Sequence, residues 1–283
     1  MSTIDLHTHS NASDGSLSPA ELIKKAKEQG LSAIALTDHD TIAGLKSAEE
    51  SAKKHNIHFI SGIEIGINWE PGDFHILGLG ICSENKPLLK VISELAIIRE
   101  NRNHKIIELM QKDEINVSYE EILAISGTPF IGRPHFARLL INKGIVKNQE
   151  QAFSRYLGKG RPFYVPKEGL ELCCAIDTIK NSGGIAILAH PMSLYVSWGR
   201  LPELIKDFKN KGLDGIEAWH PTAKVRSCKR LETLGKSLEL FITAGSDFHG
   251  ETRPDRKLGI TAGNKRIDES ILSAIPNLSK FRN

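Results

Sequence analysis

The chain has 283 residues, of which 40% are hydrophobic and 25% charged, so it can bury a core of ordinary size. Its formal net charge of +3 excludes a protein that holds nucleic acid chiefly through excess basic residues, but it is compatible with an anionic substrate. Residues 1–10 contain neither a basic nor an apolar segment, and no apolar run is long enough to span a membrane. The four cysteines form no C-x-x-C pattern. We therefore expect a soluble, cytoplasmic protein that binds neither membranes nor DNA stably.

The first third of the chain alternates between strand and helix. Strands are predicted at residues 3–8, 31–37, 58–69 and 74–80, and helices at residues 18–30 and 41–56. In the first helix Ser18 is the predicted N-cap, Glu21 completes a capping box and Gly30 ends the helix. A helix, and not a hairpin turn, joins the first two strands, which is typical of a parallel sheet.

The pattern changes near residue 84. Residues 84–165 are predicted to be mostly helical, and we interpret them as an inserted helical subdomain. Alternation then resumes, with predicted helices at residues 170–181, 201–211 and 224–237, each followed by an apolar strand. The predicted organisation is an α/β domain in two parts, residues 1–83 and 166–283, around this insertion.

Imidazole and carboxylate side chains recur where the predicted strands end. In barrel-like α/β folds, functional sites are built at the carboxyl ends of the strands. The residues at these positions are His7, His9, Asp14, Asp38, His39, Asp40, Glu64, His75, His190, His220, Asp247 and His249. Their recurrence indicates one shared site.

The types and spacing of these residues favour a metal centre. His7 and His9 are two residues apart, so on a strand both imidazoles face the same side. Glu64 stands in an apolar strand, where an unpaired carboxylate would cost several kcal/mol. A single histidine at a strand end is more often a satisfied polar group, and Asp14 alone could close an Asx turn before Gly15. The set as a whole outweighs these alternatives.

The number of candidate ligands exceeds what a single ion can use. There are nine: His7, His9, Asp14, His39, Glu64, His75, His190, Asp247 and His249. A divalent ion takes about four to six ligands, so we expect two or three ions. Imidazole and carboxylate without thiolate suit manganese, iron or zinc, and magnesium less well. Clustered divalent ions clamp phosphate oxygens and activate water as hydroxide, which predicts hydrolysis of a phosphate ester.

The ordered motifs "DLHTHS…SDG", "TDHD", "GIE", "FHILG", "AHP" and "GSDFHG" resemble those of the PHP (polymerase and histidinol phosphatase) superfamily. The resemblance covers the chain outside the insertion and implies a distorted (β/α)7 barrel with a trinuclear metal site. It implies one ion on His7, His9, Glu64 and Asp247. A second ion would use Glu64 as a bridging ligand, with His75 and His190. The third would use Asp14, His39 and His249.

Two further segments are similar to a bacterial subgroup of this superfamily. They are "GRPHFARLL", residues 132–140, and "GIEAWHP", residues 215–221. Members of the subgroup remove the 3′-phosphate of nucleoside 3′,5′-bisphosphates such as pAp and can degrade short 5′-phosphorylated RNAs from the 5′ end. The resemblance implies that Arg133 and His135 bind the substrate, because a guanidinium binds phosphate through two parallel hydrogen bonds. The alternative is that Arg133 is only a solvated residue at a helix start.

The roles of the remaining strand-end residues stay open at this stage. His220 could be a general acid, a phosphate ligand or a support for another ligand. Asp38 and Asp40 could orient imidazoles. Trp219 could stack on a nucleobase, although a core or rim position is more common for a tryptophan. Arg253, Arg256 and Lys257 form a basic cluster that could help to bind an anionic substrate, although a solvated loop is expected for each of them.

Two other functions remain as alternatives to a nucleotide 3′-phosphatase. The first is a histidinol-phosphatase-like enzyme that hydrolyses small phosphomonoesters at the same site. The second is a non-catalytic PHP module that binds metal for stability. Such modules often lose ligands, whereas all nine positions are filled here.

Overall fold

The structure is a computed structural model and describes residues 2–275 and residue 278. Its strands are β1 (Thr3–Asp5), β2 (Leu31–Leu36), β3 (His58–Ile67), β4 (Phe74–Leu79), β5 (Ile185–Leu188), β6 (Gly215–Trp219), β7 (Phe241–Ala244), β8 (Ile260–Thr261) and β9 (Lys265–Arg266). Its helices are α1 (Pro19–Glu28), α2 (Leu45–His55), α3 (Lys86–Lys112), α4 (Tyr119–Ser126), α5 (Arg133–Asn142), α6 (Gln149–Ala152), α7 (Leu172–Asn181), α8 (Leu201–Asn210), α9 (Val225–Ser237) and α10 (Ser270–Ser273).

The predicted capping box is present at the start of α1. The hydroxyl of Ser18 accepts a hydrogen bond from the backbone N–H of Glu21, whose carboxylate in turn accepts one from the Ser18 backbone. Gly30 follows the helix with φ of +79°, a left-handed conformation that glycine adopts without strain. The second predicted helix begins later than expected, at Leu45, because residues 41–42 have no regular structure and residues 43–44 form a turn.

The seven strands β1 to β7 form one sheet in chain order. β1, β2 and β3 are parallel, as are β5, β6 and β7, but β4 is antiparallel to both of its neighbours, β3 and β5. This reversal places the start of β4 beside the end of β3, so that His75 pairs with Gly66. The sequence pattern had suggested that His75 lies at the end of a strand. His75 instead lies at the beginning of β4, which the reversal brings to the same edge of the sheet as the ends of the neighbouring strands.

The two edge strands of this sheet meet just beyond their carboxyl ends. Thr8 forms a parallel bridge with Phe248, the His9 N–H donates to the Phe248 carbonyl at 2.9 Å, and the Asp247 N–H donates to the His7 carbonyl at 2.9 Å. These bonds close the sheet next to the predicted ligands on both strands. A seven-stranded barrel with one reversed strand confirms the predicted fold.

The chain separates into two compact units. One comprises Met1–Ile92 and Gly169–Asn283, and the other comprises Ser93–Glu168. The first unit has a core built largely from strand residues such as Ile4, Leu77 and Ile187. The second has a separate helical core that includes Phe136 and Phe163. Among the described residues, no helix is both long enough and apolar enough to cross a membrane.

Candidate metal centre

Four ligand atoms from three strand ends converge in the first part of the site. The Nε2 atoms of His7 and His9 lie 3.1 Å apart. Glu64 Oε2 lies 3.4 Å from the first and 3.2 Å from the second. Asp247 Oδ1 lies 3.5 Å from His7 Nε2 and 3.3 Å from His9 Nε2. All four residues are buried, so water does not solvate this cluster freely.

These separations fit the ligand shell of a divalent ion. Ligands bound at about 2.1 Å lie about 3.0 Å apart around an octahedral ion and about 3.4 Å apart around a tetrahedral one. Glu64 Oε2, moreover, is buried and has no hydrogen-bond partner among the described residues. A buried carboxylate oxygen without a donor is costly unless a cation compensates it. The donor atoms present therefore fit a metal ion.

The other oxygen of Glu64 belongs to a second cluster. Glu64 Oε1 lies 2.9 Å from His75 Nδ1 and 3.0 Å from His190 Nε2, and these two nitrogen atoms are 3.3 Å apart. Glu64 thus presents one oxygen to each of two groups of imidazoles. Both oxygens of this carboxylate are therefore placed where they could act as ligands.

The third cluster contains Asp14, His39 and His249. Asp14 Oδ1 lies 3.2 Å from His249 Nε2, and potential ligand atoms of all three residues and of His9 lie within 4.8 Å of one another. His39 Nδ1 is also 3.0 Å from Glu64 Oε2, which connects this cluster with the first. The buried atoms His39 Nδ1 and His249 Nε2 form no hydrogen bond in the part of the chain that the structure describes. The three clusters together contain all nine side chains that the sequence suggests as ligands.

The electrostatic field of the site is set by its carboxylates. Burial lowers the pKa of His9, but Asp247 and Glu64 outweigh this and raise it to about 9. Burial likewise lowers the pKa of His7, whereas Glu217, Glu64 and Asp247 raise it well above its usual value. Burial raises the pKa of Glu64, yet the imidazoles of His39 and His75 hold it well below its ordinary value. Without metal, the raised pKa values of His7 and His9 favour their protonated forms, which offset the charge of the carboxylates.

Glu217 on β6 is a functional residue that the sequence reasoning missed. Its Oε1 lies 3.0 Å from His7 Nδ1, and its Oε2 accepts a hydrogen bond of 2.8 Å from the His190 backbone N–H. A carboxylate on Nδ1 fixes the ring so that Nε2 faces the cluster, and it makes the imidazole a stronger ligand. A signal was available, because Glu217 is a carboxylate between the apolar residues Ile216 and Ala218, as Glu64 is between isoleucines.

Gly245 provides the space for this pair. A Cβ atom at this position would collide with the Cβ atom of His7 and lie 2.6 Å from Glu217 Oε1. Glycine is therefore required here for close approach and not for an unusual backbone conformation.

Three buried aspartates accept hydrogen bonds from residues of the loops near the candidate ligands. Asp5 accepts hydrogen bonds from the Ser246 hydroxyl and from the backbone N–H groups of Ser246 and Gly259. Burial raises the pKa of Asp5 to about 6, against the lowering effect of these hydrogen bonds. Asp38 accepts from the backbone and hydroxyl of Ser10, and Asp40 accepts from the backbone N–H of Gly66. These contacts of Asp38 and Asp40 are to backbone and hydroxyl groups, and orientation of an imidazole by either aspartate stays a prediction.

The second oxygen of Asp247 is held by two buried side chains, and the half-exposed Arg253 Nη1 lies 3.7 Å from it. Arg256 Nη1 donates to Asp247 Oδ2 at 3.1 Å, and His220 Nε2 lies 3.3 Å from the same atom. Arg256 is only 6% exposed, so the expectation that it lies in a solvated loop is wrong. The other ring nitrogen of His220 lies 2.6 Å from the Thr222 hydroxyl. Of the three roles considered for His220, these contacts favour support of a ligand.

The polar contacts of Trp219 go to α9 and to Lys265, and those of the start of α5 lie within the helical unit. The indole N–H of Trp219 donates to Glu232 on α9 at 2.8 Å, and Lys265 Nζ lies 4.4 Å from its ring centre. Adjacent strand residues face opposite sides, so Trp219 points to the helix while His220 points to the site. In the helical unit, Arg133 lies over the Tyr164 ring and His135 Nδ1 accepts from the Gly132 N–H.

Two of the candidate ligands at strand ends have strained backbones. Asp247 has φ of +52° and His190 has φ of +28°, in a region that residues other than glycine rarely adopt. Such strain persists only where the surroundings enforce it, and it is concentrated at functional sites. Here the hydrogen bonds from Asp247 to the His7 carbonyl and from His190 to Glu217 hold both backbones in place.

A family model described as the PHP domain matches residues 5–163, which is more than half of the chain. The chain belongs to this family. The match confirms the resemblance inferred from the sequence motifs. The matched span includes most of the helical unit and ends before His190, Asp247 and His249. Pairwise similarity to individual proteins extends further.

Two curated relatives align over most of both chains. A 5′-3′ exoribonuclease of Haemophilus influenzae is 40% identical over 87% of this chain and 89% of its own length. A 3′,5′-nucleoside bisphosphate phosphatase of Chromobacterium violaceum is 32% identical over 92% of each chain. Both names denote hydrolases of phosphate esters. A solved structure from Bifidobacterium adolescentis, described as a candidate metal-dependent phosphoesterase, superposes with a TM-score of 0.85 at 27% identity over 98% of this chain and 96% of its own.

Proposed function

We propose that this protein is a metal-dependent phosphoesterase that hydrolyses the 3′-phosphate of nucleoside 3′,5′-bisphosphates and degrades short 5′-phosphorylated RNAs from the 5′ end. The observation that carries the proposal is the position of Glu64, whose two oxygens face two groups of imidazoles at 2.9–3.4 Å. The names of the two aligned relatives supply the substrate class.

The nine clustered side chains would hold two or three divalent ions. The first group is His7, His9, Glu64 and Asp247, the second Glu64, His75 and His190, and the third Asp14, His39 and His249. Imidazole nitrogen and carboxylate oxygen without thiolate favour manganese, iron or zinc over magnesium. Bound ions would supply an activated water at neutral pH and would neutralise the negative charge that develops on phosphate.

The protein's own residues fix the geometry in which this chemistry takes place. Glu217 holds the ring of His7, and Arg256 holds Asp247 through the oxygen that faces away from the first cluster. His220 supports the same oxygen, and its pKa is lowered by burial, which suits a neutral supporting imidazole more than a general acid. Arg133 and His135 are proposed, from the resemblance alone, to bind the second phosphate of the substrate.

The test is phosphate release by the purified protein with added manganese. The substrates are pAp, AMP, histidinol phosphate and a short 5′-phosphorylated RNA, each with and without a chelator. We expect chelator-sensitive release from pAp, little release from AMP, and release of mononucleotides from the RNA. Release from histidinol phosphate alone would replace the proposal by the small-phosphomonoesterase alternative.

The non-catalytic alternative is separated by Asp247→Ala. If the centre is catalytic, the variant loses turnover and keeps cooperative thermal unfolding in the presence of chelator. A purely structural centre predicts that wild type turns over none of the four substrates and that the variant loses the stabilisation that added metal gives to wild type.

A further inference from the structure

A groove of about 710 Å³ lies on the outer face of α9, outside the metal centre. Its lining combines an aromatic ring, three cations and an apolar floor: Trp198, Arg226, Lys229, Arg230, Val225 and Leu234. The size is that of a pocket for a nucleotide-sized ligand. No contact described above for the metal centre uses any of these side chains.

The three cations of the groove share one face of α9. Lys229 and Arg230 follow Arg226 by three and four residues, a spacing that places side chains on the same side of a helix. All three are exposed, and in the described part of the chain none of them forms an ion pair. No acidic residue is among the described residues that line the groove. The positive charge is therefore available to an anionic ligand.

Trp198 adds a stacking surface to this charge. The guanidinium carbon of Arg230 lies 3.9 Å from the centre of its ring. The half-buried indole belongs to neither of the two described core clusters. A planar guanidinium on an indole forms a ledge for a nucleobase, and base stacking on aromatic side chains does not depend on sequence.

Both walls of the groove are formed by segments that follow residues of the metal centre in the chain. α9 begins at Val225, five residues after His220, whose Nε2 contacts Asp247. Trp198 lies eight residues after His190, whose Nε2 contacts Glu64. The groove therefore begins near the rim where β5 and β6 end and continues along the outer face of α9.

We propose that this groove, here called the α9 groove, binds single-stranded RNA downstream of the nucleotide held at the metal centre. The proposal rests on the proposed function, because the groove would hold the part of an oligoribonucleotide that a mononucleotide lacks. Arg226 and Lys229 would bind phosphates, and the Trp198–Arg230 ledge would stack on a base. An acidic peptide would match the charge but offers no base for the ledge.

The test is equilibrium binding of a labelled single-stranded RNA of about 10 nucleotides, a length that spans one typical site. Chelator is present so that no cleavage occurs. In R226A/K229A/R230A we expect the affinity to fall at least about tenfold and the slope of log affinity against log salt to decrease by about 0.7 for each lost phosphate contact. In W198A we expect an affinity loss of about 5- to 150-fold with an unchanged salt slope.

The matched control is K46A/K53A/K54A on α2, which removes the same charge from exposed positions outside the groove. It should change RNA affinity less than about twofold. Turnover of pAp should be unchanged in the groove variants and in the control. Wild-type affinity in the groove variants, equal loss in the control, undetectable binding by wild type, or equally tight competition by an acidic peptide of the same charge would each overturn the proposal.

The assay also separates this inference from the proposed function. If wild type hydrolyses neither pAp nor RNA but the groove variants still weaken RNA binding as expected, the proposed function fails and the α9 groove stands. If wild type hydrolyses pAp and the groove variants bind RNA as wild type does, the groove fails and the proposed function stands.

Discussion

His7 Nδ1 lies 3.0 Å from Glu217 Oε1, and both side chains are fully buried. Through this contact a carboxylate on β6 fixes a ring that follows β1, so that the opposite nitrogen, Nε2, faces His9, Glu64 and Asp247. Because a ligand ring that is free to rotate binds metal less tightly, the pair should matter for metal affinity more than for the fold.

Glu217→Gln keeps the shape of the side chain but removes its charge. We expect metal affinity to fall about 10- to 100-fold, with turnover of pAp falling in parallel at subsaturating metal. Competition with a coloured chelator measures the affinity. Glu232→Gln is the control, since Glu232 lies on α9 and contacts Trp219 and Lys236 instead of a proposed ligand. Equal affinities of E217Q and wild type would contradict the role assigned to Glu217.

Gly245→Ala tests the close packing behind the same pair. The added methyl group would collide with the Cβ atom of His7 and approach Glu217 Oε1 to 2.6 Å. Overpacking of this kind costs about 1–3 kcal/mol, and here it also displaces a proposed ligand. We expect a lower free energy of unfolding in urea and weaker metal binding. Gly199→Ala, where nothing lies within 4 Å of the new Cβ, should leave both quantities near the wild-type values.

Arg256→Met should destabilise the metal-free protein. It removes the buried cation that lies 3.1 Å from Asp247 Oδ2 and leaves only the half-exposed guanidinium of Arg253, 3.7 Å from the same oxygen. Breaking a buried ion pair costs about 3–5 kcal/mol, and unfolding in urea with chelator measures the loss. The exposed neighbour Lys257 provides the control variant Lys257→Met. A loss no larger than that of the control would show that Arg256 does not sustain Asp247.

Much of the site was predictable because its residue types are unusual where they occur. Imidazoles and carboxylates at the ends of apolar strands identified the nine clustered side chains, and the same logic would have found Glu217. The position of Trp219 was also accessible, since it adjoins His220 on a strand and so faces the opposite side. The direction of β4 could not be predicted, because an apolar strand pattern is the same in both directions. The burial of Arg256 could not be predicted either, because it depends on how a loop packs in three dimensions.

Metal affinity should rise with pH between about 6.5 and 9. Burial lowers the pKa of His9, but Asp247 and Glu64 raise it to about 9 in the metal-free protein, above its unfolded value of 6.5. Its proton therefore stabilises the metal-free fold fully below pH 6.5, and this contribution is lost as the pH rises through about 9. A metal must displace that proton to bind, so binding should release protons. Calorimetric titration of metal in buffers of different ionisation enthalpy counts the protons released. Release of none at pH 7 would mean that His9 is already neutral.

Arg133→Ala should separate the two phosphates of the substrate. A guanidinium that binds the second phosphate of pAp through two hydrogen bonds contributes to binding but not to the bond that breaks. We therefore expect KM for pAp to rise at least about tenfold, with kcat changed less than KM, because the lost contact is made equally in the ground and transition states. Steady-state phosphate release gives both constants. Arg138→Ala, an exposed arginine on the same helix, is the matched control and should leave KM unchanged. If the two variants have the same KM, Arg133 is a solvated residue at the start of α5, and the substrate's second phosphate is bound elsewhere.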